Sequence, residues 1–356
     1  MPQATLIYNP LAGPVNLAAT IELVADGWRA RGWQVVVRHT ETAGHAMELS
    51  RLAAQAGHDL VLAAGGDGTL GEVANGLVYT NTIMAPLPVG TANSFARELQ
   101  MPLPTPWQPN RLLLASDLLL SGQVQAMDLG FTHGPDVDAK VEPGGLGKEK
   151  EVDQKVDQRV DQRVDQRVKG NGRYWLLWTG TGADGFLVDE MEPRPKLYKK
   201  LGSVGYALQS LAIAPRYPGM QARVEVDGRS YQDSFTLVLL SNCRLYAGGR
   251  INLSPRARLD DGQFEVWLFH GQSVKDALLH AYQAWQQRHH AANNVTKING
   301  RCITVASEPP MPCQTDGDKA GHTPFTCELK PRALRLLVPH GAPTDLFCHP
   351  GQPLSA

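Results

Sequence analysis

Residues 59–77 combine a strand, a glycine turn and a helix in immediate succession. Residues 60–64 form a short apolar run typical of a buried parallel strand, and the run ends in the turn GGDGT at residues 65–69. Apolar residues then recur at helical spacing as far as Leu77. Glycines let a backbone approach a ligand closely, and the N-terminus of a helix attracts anions. The stretch therefore predicts a phosphate site. The alternative is an ordinary tight turn before a capped helix.

Asp67, in the middle of this turn, adds a second prediction. Its carboxylate would repel a phosphate unless a cation lay between them. Carboxylate and phosphate oxygens are the ligands that Mg²⁺ prefers in proteins. The turn therefore predicts a site for Mg²⁺ together with a phosphate ester.

Composition places the chain among soluble globular proteins. It has 356 residues, of which 42% are hydrophobic and 19% charged, so two domains are more probable than one. The net charge of −1 gives no overall attraction to nucleic acid, and no apolar run is long enough to span a bilayer. The N-terminus lacks a signal-peptide pattern, so we expect a cytoplasmic protein. The cysteines are scattered and form no CxxC pair, which is typical of reduced thiols: Cys243, Cys302, Cys313, Cys327 and Cys348.

In the first 120 residues, strands alternate with helices. This alternation predicts an α/β domain with a parallel sheet, in which ligands bind at the carboxyl ends of the strands. Asn9, Thr42, the 65–69 turn and a second glycine turn at residues 90–93 should therefore lie on one rim. The strand expected at residues 83–89 contains prolines, which are typical of an edge strand.

From about residue 124, the pattern changes to short strands separated by turn residues, and one of these predicted strands is residues 174–178. Asp227-Gly228 and Asp261-Gly262 are typical hairpin signals, and helices are expected at residues 198–212 and 274–288. We therefore predict a nucleotide-binding α/β domain at residues 1–123 and a β-sandwich substrate domain at residues 124–339. The tail, residues 340–356, is expected to pack back on the first domain.

Residues 152–168 repeat VDQK once and VDQR three times. A helix would place like charges at every i,i+4 spacing, which is destabilising, and a strand would have no buried partner. We interpret residues 134–172 as a solvated insertion between two strands, and a binding role for the repeat is the less favoured alternative.

Motifs along nearly the whole chain resemble the diacylglycerol kinase catalytic-domain family, which includes sphingosine kinases and bacterial lipid kinases. The glycine-Asp motif alone also occurs in NAD kinases and phosphofructokinases, whereas the ordered set is specific. Its members are Asn9-Pro10 with Gly13, Thr42 with Gly44-His45-Ala46, the 65–69 turn, residues 87–93, Asp128, residues 180–186, Asn242 with Gly248-Gly249, residues 255–262, and Asp316-Gly317-Asp318. The resemblance implies a phosphofructokinase-like domain that binds ATP, a C-terminal β-sandwich, and an active site in the cleft between them.

The resemblance also implies roles for particular residues. The ATP contacts would be Asn9, Thr42, Gly65, Gly66, Asp67, Gly68, Thr69, Gly90, Thr91 and Asn93. Asp316 occupies the position of the family's catalytic aspartate and would be the general base, with Asp318 beside it. The metal residues would be Asp67 and Asp128, together with a structural Mg²⁺ site formed by Asp261 and the main-chain carbonyls of Arg258 and Gln263.

Three positions depart from the family pattern. Ala12 replaces a usual serine, Asp318 replaces the usual glutamate, and Ser94 stands where many bacterial members have an aspartate. Asp318 retains its charge but has a shorter reach. The loss of a carboxylate at position 94 affects the expected details of metal binding more than the expected fold.

The predicted function is an ATP- and Mg²⁺-dependent lipid kinase that transfers the γ-phosphate to a lipid hydroxyl. The sequence does not choose among diacylglycerol, a sphingoid base, phosphatidylglycerol and a monoacylglycerol. We expect no nucleic-acid partner and a peripheral contact with the inner membrane surface. The sequence does not determine the oligomeric state, for which a homodimer is one possibility. The alternatives are an NAD kinase-like enzyme with a soluble substrate and a non-catalytic regulator that binds a nucleotide or lipid.

Overall fold

The computed structural model of the protein describes residues 1–13, 15–135, 172–191 and 216–354. The VDQR repeat, almost all of the predicted insertion and the helix predicted at residues 198–212 lie outside the described residues. The basic cluster of Arg194, Lys196, Lys199 and Lys200 lies outside them as well; its sequence favours a solvated helix face over the alternative of a membrane-docking patch.

The N-terminal part is a parallel sheet in the order β4-β3-β1-β2. Every residue of β3 is buried, as the apolar run predicts, whereas the edge strand β2 is largely exposed. The strands are β1 (Gln3–Tyr8), β2 (Gln34–His39), β3 (Leu60–Gly65) and β4 (Ile83–Pro88).

The helices of this part follow the predicted alternation with the strands. They are α1 (Ala18–Arg29), α2 (His45–Gln55), α3 (Asp67–Leu77), α4 (Ser94–Glu98) and α5 (Arg111–Leu120). Asn16 precedes α1 and its Oδ1 accepts a hydrogen bond from the Ala18 N–H at 3.0 Å. The fully buried Trp28 of α1 donates from Nε1 to the Ser116 hydroxyl of α5 at 2.9 Å, which joins the two helices.

The prediction that β4 is an edge strand is wrong. β4 lies between β3 and β17, although it pairs with β17 only where Met84 meets Leu336. Ile83 and Val89 donate their N–H groups toward β3. Since donors alternate between the two sides of a strand, the nitrogens of Pro86 and Pro88 face the other, almost unpaired side. The missing N–H groups therefore break no ladder.

The C-terminal part consists of antiparallel strands that form a β-sandwich. The longest pairing is between β5 and β17, and β9 pairs with β7, β8 and β12. The strands are β5 (Gln123–His133), β6 (Gly172–Trp175), β7 (Trp178–Gly182), β8 (Met220–Val226), β9 (Arg229–Ser241), β10 (Leu245–Tyr246), β11 (Ile251–Asn252), β12 (Phe264–His270), β13 (Val295–Gly300), β14 (Cys302–Glu308), β15 (Pro312–Thr315), β16 (Asp318–His322), β17 (Phe325–Val338) and β18 (Gln352–Pro353).

In the described residues of this part, two α-helices accompany the strands, α6 (Ala183–Met191) and α7 (Val274–Trp285). The sequence predicted α7 but not α6. Single turns of 3₁₀ helix follow at His289–Ala291 and Thr344–Leu346. The interior of the sandwich is a separate apolar core that includes Val224, Phe235, Val266 and Val305.

The two predicted hairpin signals have different outcomes. Asp227-Gly228 joins β8 to β9 with positive φ at both residues, as a two-residue hairpin requires. Asp261-Gly262 is not a hairpin, because β12 pairs with β9 and β13 rather than with the segment before the turn. Instead, the Gly262 N–H donates to Asp128 at 2.8 Å, so this turn is held by β5.

The C-terminal tail runs back along the edge of β5. β18 pairs with β5 at Gln123 and Val124, and the backbone N–H groups of Cys348 and His349 both donate to Asp260. The tail therefore contacts the place where the first domain is predicted to end, and the domain limits stay a prediction. Among the described residues, no helix is both long and apolar enough to cross a membrane.

Candidate active site

The two glycine turns contact each other at the carboxyl ends of β3 and β4. A Cβ atom on Gly90 would lie 2.4 Å from the Cα of Gly66, so the backbones approach more closely than any side chain would permit. Asn93, with φ 50°, begins α4 directly after the second turn. The expectation that these two turns share one rim is met in the structure.

Asp67 joins the first turns of two helices. It is the first residue of α3, and its carboxylate accepts the N–H groups of Ser94 at 3.0 Å and Phe95 at 3.1 Å, both in α4. These bonds cap α4 and leave further lone pairs on both oxygens. The Mg²⁺ role of Asp67 stays a prediction, and the capping role is an addition that the sequence did not indicate.

The loop after β1 is attached to the same turn. Asn9 donates from Nδ2 to the Thr69 hydroxyl at 3.1 Å and accepts the Leu11 N–H at 3.0 Å. Beside this loop, at the ends of β1 and β2, lies a cavity of about 280 Å³ lined by Tyr8, Pro10, Gly13, Val15, Asn16, Ala18 and His39.

Thr42 lies at the next loop, after β2, and is exposed. Glu72 of α3, which the sequence analysis missed, fixes this loop by accepting the N–H groups of Gly44 at 2.9 Å and Ala46 at 3.1 Å. A carboxylate that accepts two N–H groups at the start of α2 stabilises this helix, because its negative charge interacts favourably with the helix dipole. The loop that bears Thr42 is thus held against α3.

Asp316 occupies the first position of the hairpin between β15 and β16. Its φ is 52° and that of Gly317 is 85°, so both residues are in the left-handed region. Its carboxylate accepts three backbone N–H groups, from Leu176 at 2.9 Å, Leu177 at 2.8 Å and Trp178 at 3.2 Å. The sequence predicted one continuous strand at residues 174–178. The structure divides it into β6 and β7, with Leu176 and Leu177 between them.

The hairpin that carries Asp316 faces the glycine turn of the N-terminal part. A Cβ atom on Gly71 would lie 3.8 Å from Oδ2 of Asp316, and one on Gly68 would lie 3.9 Å from Oδ2 of Asp318. Gly71 is buried and Gly68 is exposed, so Asp316 contacts the inner side of α3 and Asp318 its exposed start. The proposed base and the proposed phosphate turn therefore lie next to each other, one on each part of the chain.

Burial raises the pKa of Asp316 to about 6. The three backbone hydrogen bonds and the charge of Arg173 oppose this rise without cancelling it. Arg173, on β6, also lies 3.6 Å from the Asp318 carboxylate, and its side chain is only 10% exposed. The sequence analysis missed this arginine because nothing in the order of residues connects β6 with β16.

Asp184 is a second carboxylate near the Asp316 hairpin that the sequence analysis did not single out. It begins the first turn of α6 and accepts hydrogen bonds from the Tyr246 hydroxyl at 3.1 Å and the Gln314 amide at 3.0 Å. Gln314 in turn accepts the Gly317 N–H at 2.9 Å. Burial raises the pKa of Asp184 to about 6. It is part of the 180–186 motif, which was the available signal.

Contacts at α4 hold the two parts of the chain together. The buried carboxylate of Glu98 accepts the N–H groups of Arg244 at 3.0 Å and Leu245 at 2.9 Å. A Cβ atom on Gly249 would lie 2.4 Å from the Arg97 side chain. The Gly248-Gly249 motif therefore lets the loop after β10 approach α4.

The remaining predicted metal residues lie at the turn after Leu259. Asp128 is buried and accepts the N–H groups of Gly262 at 2.8 Å and Arg332 at 2.7 Å, and Asp261 accepts the Gln263 N–H at 3.2 Å. Burial raises the pKa of both carboxyls, and the neighbouring negative charge of Asp260 adds to the rise. Arg258 is exposed.

Asp67 is bonded to α4, whereas Asp261 belongs to this turn and Asp128 lies on β5 beside it. In the part of the chain that the structure describes, no group of three or more His, Cys, Asp or Glu residues could hold a metal ion. The predicted metal residues are therefore not brought together as one carboxylate cluster.

Comparison with known families assigns both halves of the chain. Residues 3–132 match the diacylglycerol kinase catalytic domain, and residues 181–338 match the YegS C-terminal NAD kinase beta sandwich-like domain. The N-terminal part thus belongs to the diacylglycerol kinase catalytic-domain family, and the C-terminal part is a domain of the YegS C-terminal type.

Individual relatives match along almost the full length. The diacylglycerol kinase of Bacillus subtilis strain 168 is 25% identical over 326 residues, which are 91% of this chain and 92% of that protein. The probable lipid kinase YegS-like of Chromohalobacter salexigens is 27% identical over 320 residues, 88% of this chain and 87% of that protein.

A solved structure supports the fold. The crystal structure of a diacylglycerol kinase from Bacillus anthracis str. Sterne aligns with a TM-score of 0.63 over 96% of this chain and 98% of that one, at 19% identity. The predicted architecture, an α/β domain with a parallel sheet followed by a β-sandwich, is therefore confirmed.

Proposed function

We propose that the protein is an ATP- and Mg²⁺-dependent lipid kinase that transfers the γ-phosphate of ATP to the hydroxyl of diacylglycerol or a related lipid. The observation that carries the proposal is the contact of Asp316 and Asp318 with the first two turns of α3, where each carboxylate lies within 4 Å of the position of a glycine Cβ. A proton acceptor close to a phosphate turn is what phosphoryl transfer to an alcohol requires.

In the proposed reaction, the lipid hydroxyl oxygen attacks the γ-phosphorus, its proton passes to Asp316, and ADP leaves. The raised pKa of Asp316 favours this role, because a base works best when its pKa lies near the operating pH. The hydrogen bonds from residues 176–178 hold the carboxylate in one orientation. Asp318, beside Arg173, would orient or balance charge at the same place.

The nucleotide would lie along the rim formed by the loops after the N-terminal strands. The N–H groups of the first turn of α3 lack partners within the helix and are suited to bind phosphate oxygens. The cavity beside Asn9 would accept the nucleoside end of ATP. The proposed contacts are Asn9, Thr42, Gly65, Gly66, Asp67, Gly68, Thr69, Gly90, Thr91 and Asn93.

Mg²⁺, when bound, would neutralise charge on the triphosphate. Asp67 is placed to hold the ion because its carboxylate lies at the start of α3 and each of its oxygens has a lone pair that accepts no hydrogen bond from α4. A second, structural ion fits the turn that contains Asp261, since carboxylate and carbonyl oxygens are hard donors and a cation would offset the charges of Asp128 and Asp260. The carbonyls of Arg258 and Gln263 would complete that set.

A lipid acceptor places the working enzyme at a bilayer. We therefore propose a cytoplasmic protein that contacts the inner membrane surface peripherally and contributes to phospholipid synthesis. This location follows from the substrate class and needs no spanning segment.

Incubation of the purified protein with γ-labelled ATP, Mg²⁺, a panel of lipids and NAD tests the proposal. Label that enters the organic phase with a lipid supports it, and the preferred lipid identifies the substrate. Label on NAD would instead identify an NAD kinase-like enzyme. ATP binding without transfer to any acceptor would identify a regulator.

A further inference from the structure

One face of α7 is apolar and exposed to solvent. Leu278, Leu279, Tyr282 and Trp285 are spaced so that they lie on one side of the helix, and they are 50%, 45%, 53% and 72% exposed. The Tyr282 and Trp285 rings lie 6.3 Å apart. We call these four residues the α7 face. Exposed apolar residues grouped in this way mark interaction surfaces, whereas single ones are ordinary.

The opposite side of α7 already holds the helix in place. Ala284 and His280 are buried, and Nε2 of His280 lies 2.8 Å from the carbonyl oxygen of His270. Ser273 and Asp276 form a capping box at the helix start. The α7 face is therefore not needed to pack the helix on the sandwich, and substitutions there should leave the fold unchanged.

Two basic side chains flank the α7 face. Lys275 lies one turn before Leu278 and Leu279 on the same side, and Arg288 follows the end of the helix; both are exposed. The acidic residue of the helix, Asp276, is engaged by the N–H groups of Gln272 and Ser273. Leucine, tyrosine and tryptophan bordered by basic side chains suit an anionic lipid surface.

The hairpin of β10 and β11 connects α7 with the surroundings of the Asp316 hairpin. It packs on β11, which forms a hairpin with β10. The hydroxyl of Tyr246, in β10, donates to Asp184 next to the Asp316 hairpin. The α7 face is therefore linked to the proposed base by a short series of contacts within the sandwich.

We propose that the α7 face inserts into the headgroup region of an anionic bilayer and docks the enzyme on the surface that contains its substrate. The inference rests on the proposed lipid kinase function for its occupant. It adds the site of contact, with Tyr282 and Trp285 as anchors and Lys275 as the charged flank.

The test uses the full chain and two kinds of vesicle, phosphatidylcholine alone and phosphatidylcholine with phosphatidylglycerol. We expect wild-type protein to float with the anionic vesicles, and Tyr282→Ser/Trp285→Ser to lower the partition coefficient by about tenfold or more. Lys275→Glu should weaken binding to the anionic vesicles and leave the weaker binding to neutral vesicles unchanged.

Trp107→Ser is the matched control, since Trp107 is a 92% exposed tryptophan in the other half of the chain. It should float like wild type. Equal losses for Trp107→Ser and the α7 variant would overturn the assignment, as would unchanged flotation of the α7 variant or no flotation of wild type. Light scattering provides a further test of the proposal. If the α7 variant is a monomer where wild type is a dimer, and its flotation is unchanged, the α7 face is an interface between two copies of the chain and the proposal is wrong.

Turnover separates this inference from the proposed function. With long-chain diacylglycerol in anionic vesicles, the α7 variant should lose activity in proportion to binding. With a short-chain, water-soluble diacylglycerol, it should retain wild-type activity. If wild type labels no lipid of either kind, the proposed function fails, and flotation still decides whether the α7 face binds a bilayer.

Discussion

Two Asp-Gly hairpins in the sandwich have nearly the same backbone and different surroundings. Asp227-Gly228 has φ values of 48° and 82°, and Asp316-Gly317 has 52° and 85°. Both aspartates accept backbone N–H groups from a neighbouring segment, Arg301 and Cys302 for the first turn and residues 176–178 for the second. One turn only connects strands, whereas the other borders the glycine turn of the N-terminal part.

The difference between these turns lies in what the fold brings to them. The Asp316 carboxyl is partly buried beside Arg173 and across from α3, and burial raises its pKa to about 6. Asp227 is exposed at the end of β8. The local sequence signal for a turn is the same in both places, so chemistry depends on residues that are distant in the chain.

The largest effect on kcat is expected when the aspartate of each turn is replaced by asparagine, which exchanges one carboxylate oxygen for an NH2 group. Asp316→Asn should lower kcat by about two to four orders of magnitude with ATP affinity nearly unchanged, because the proton acceptor is lost while the nucleotide rim is untouched. Asp227→Asn, the matched control, should keep kcat and lose about 1 kcal/mol of stability. Steady-state kinetics and thermal melts measure both. A loss of ATP binding in Asp316→Asn with kcat retained would make Asp316 a nucleotide or metal contact.

Asp67 provides the next test, on the other side of the cleft. Asp67→Ala should lower turnover by about two orders of magnitude, as removal of one electrostatic contact to the reacting phosphate does. It should also cost about 1 kcal/mol of stability, since α4 loses its cap. Kinetics at increasing Mg²⁺, with a parallel melt, separates the two effects. Near-normal turnover in a folded variant would remove the metal role and leave the cap.

The pH profile sharpens the comparison further. Below pH 6 Asp316 is protonated and cannot accept a proton, and above pH 6 it is ionised, so kcat/KM should rise through a pKa of about 6 and then level off. Asp227→Asn should not shift this rise of kcat/KM with pH, which is the acid limb of the profile. Asp184, whose pKa is also about 6, could produce the same limb. Retention of the limb in Asp184→Asn assigns it to Asp316, and its loss assigns it to Asp184.

The smallest effect is expected at Asp318. Asp318→Ala should lower kcat by about tenfold, because the residue would orient or balance charge rather than accept the proton. Its partner Arg173 gives a check within the same pair. If Asp318→Ala costs as much as Asp316→Asn, the two aspartates share the base role and the assignment to Asp316 alone is wrong.

The sequence predicted the parts of the fold that depend on local pattern. Periodicity and glycines placed β1 to β4, their helices and both glycine turns, because each signal lies within a few neighbouring residues. The sequence failed where the position of a strand depends on its pairing partners. β4 is an inner strand and not an edge strand, because the nitrogens of its prolines face the side on which β4 is almost unpaired. The expected strand at residues 174–178 broke because its N–H groups bind Asp316, about 140 positions later in the chain.

The same limit applies to the candidate site. The family resemblance supplied Asp316 and Asp318, since short motifs carry them. Glu72, Arg173 and Gln314 have no motif of their own and gain their roles from contacts made across the fold. The capping role of Asp67 was missed because its partners follow a second loop.

The way in which the two halves are joined restricts how the cleft can open. β17 of the sandwich pairs with β4 at Met84, and the buried Glu98 carboxylate of α4 accepts two backbone N–H groups of the sandwich. Turning one half away from the other would break these bonds together and expose a buried carboxylate. Nucleotide exchange should therefore proceed by movement of the rim loops, with the distance between α3 and the Asp316 hairpin nearly constant through the catalytic cycle.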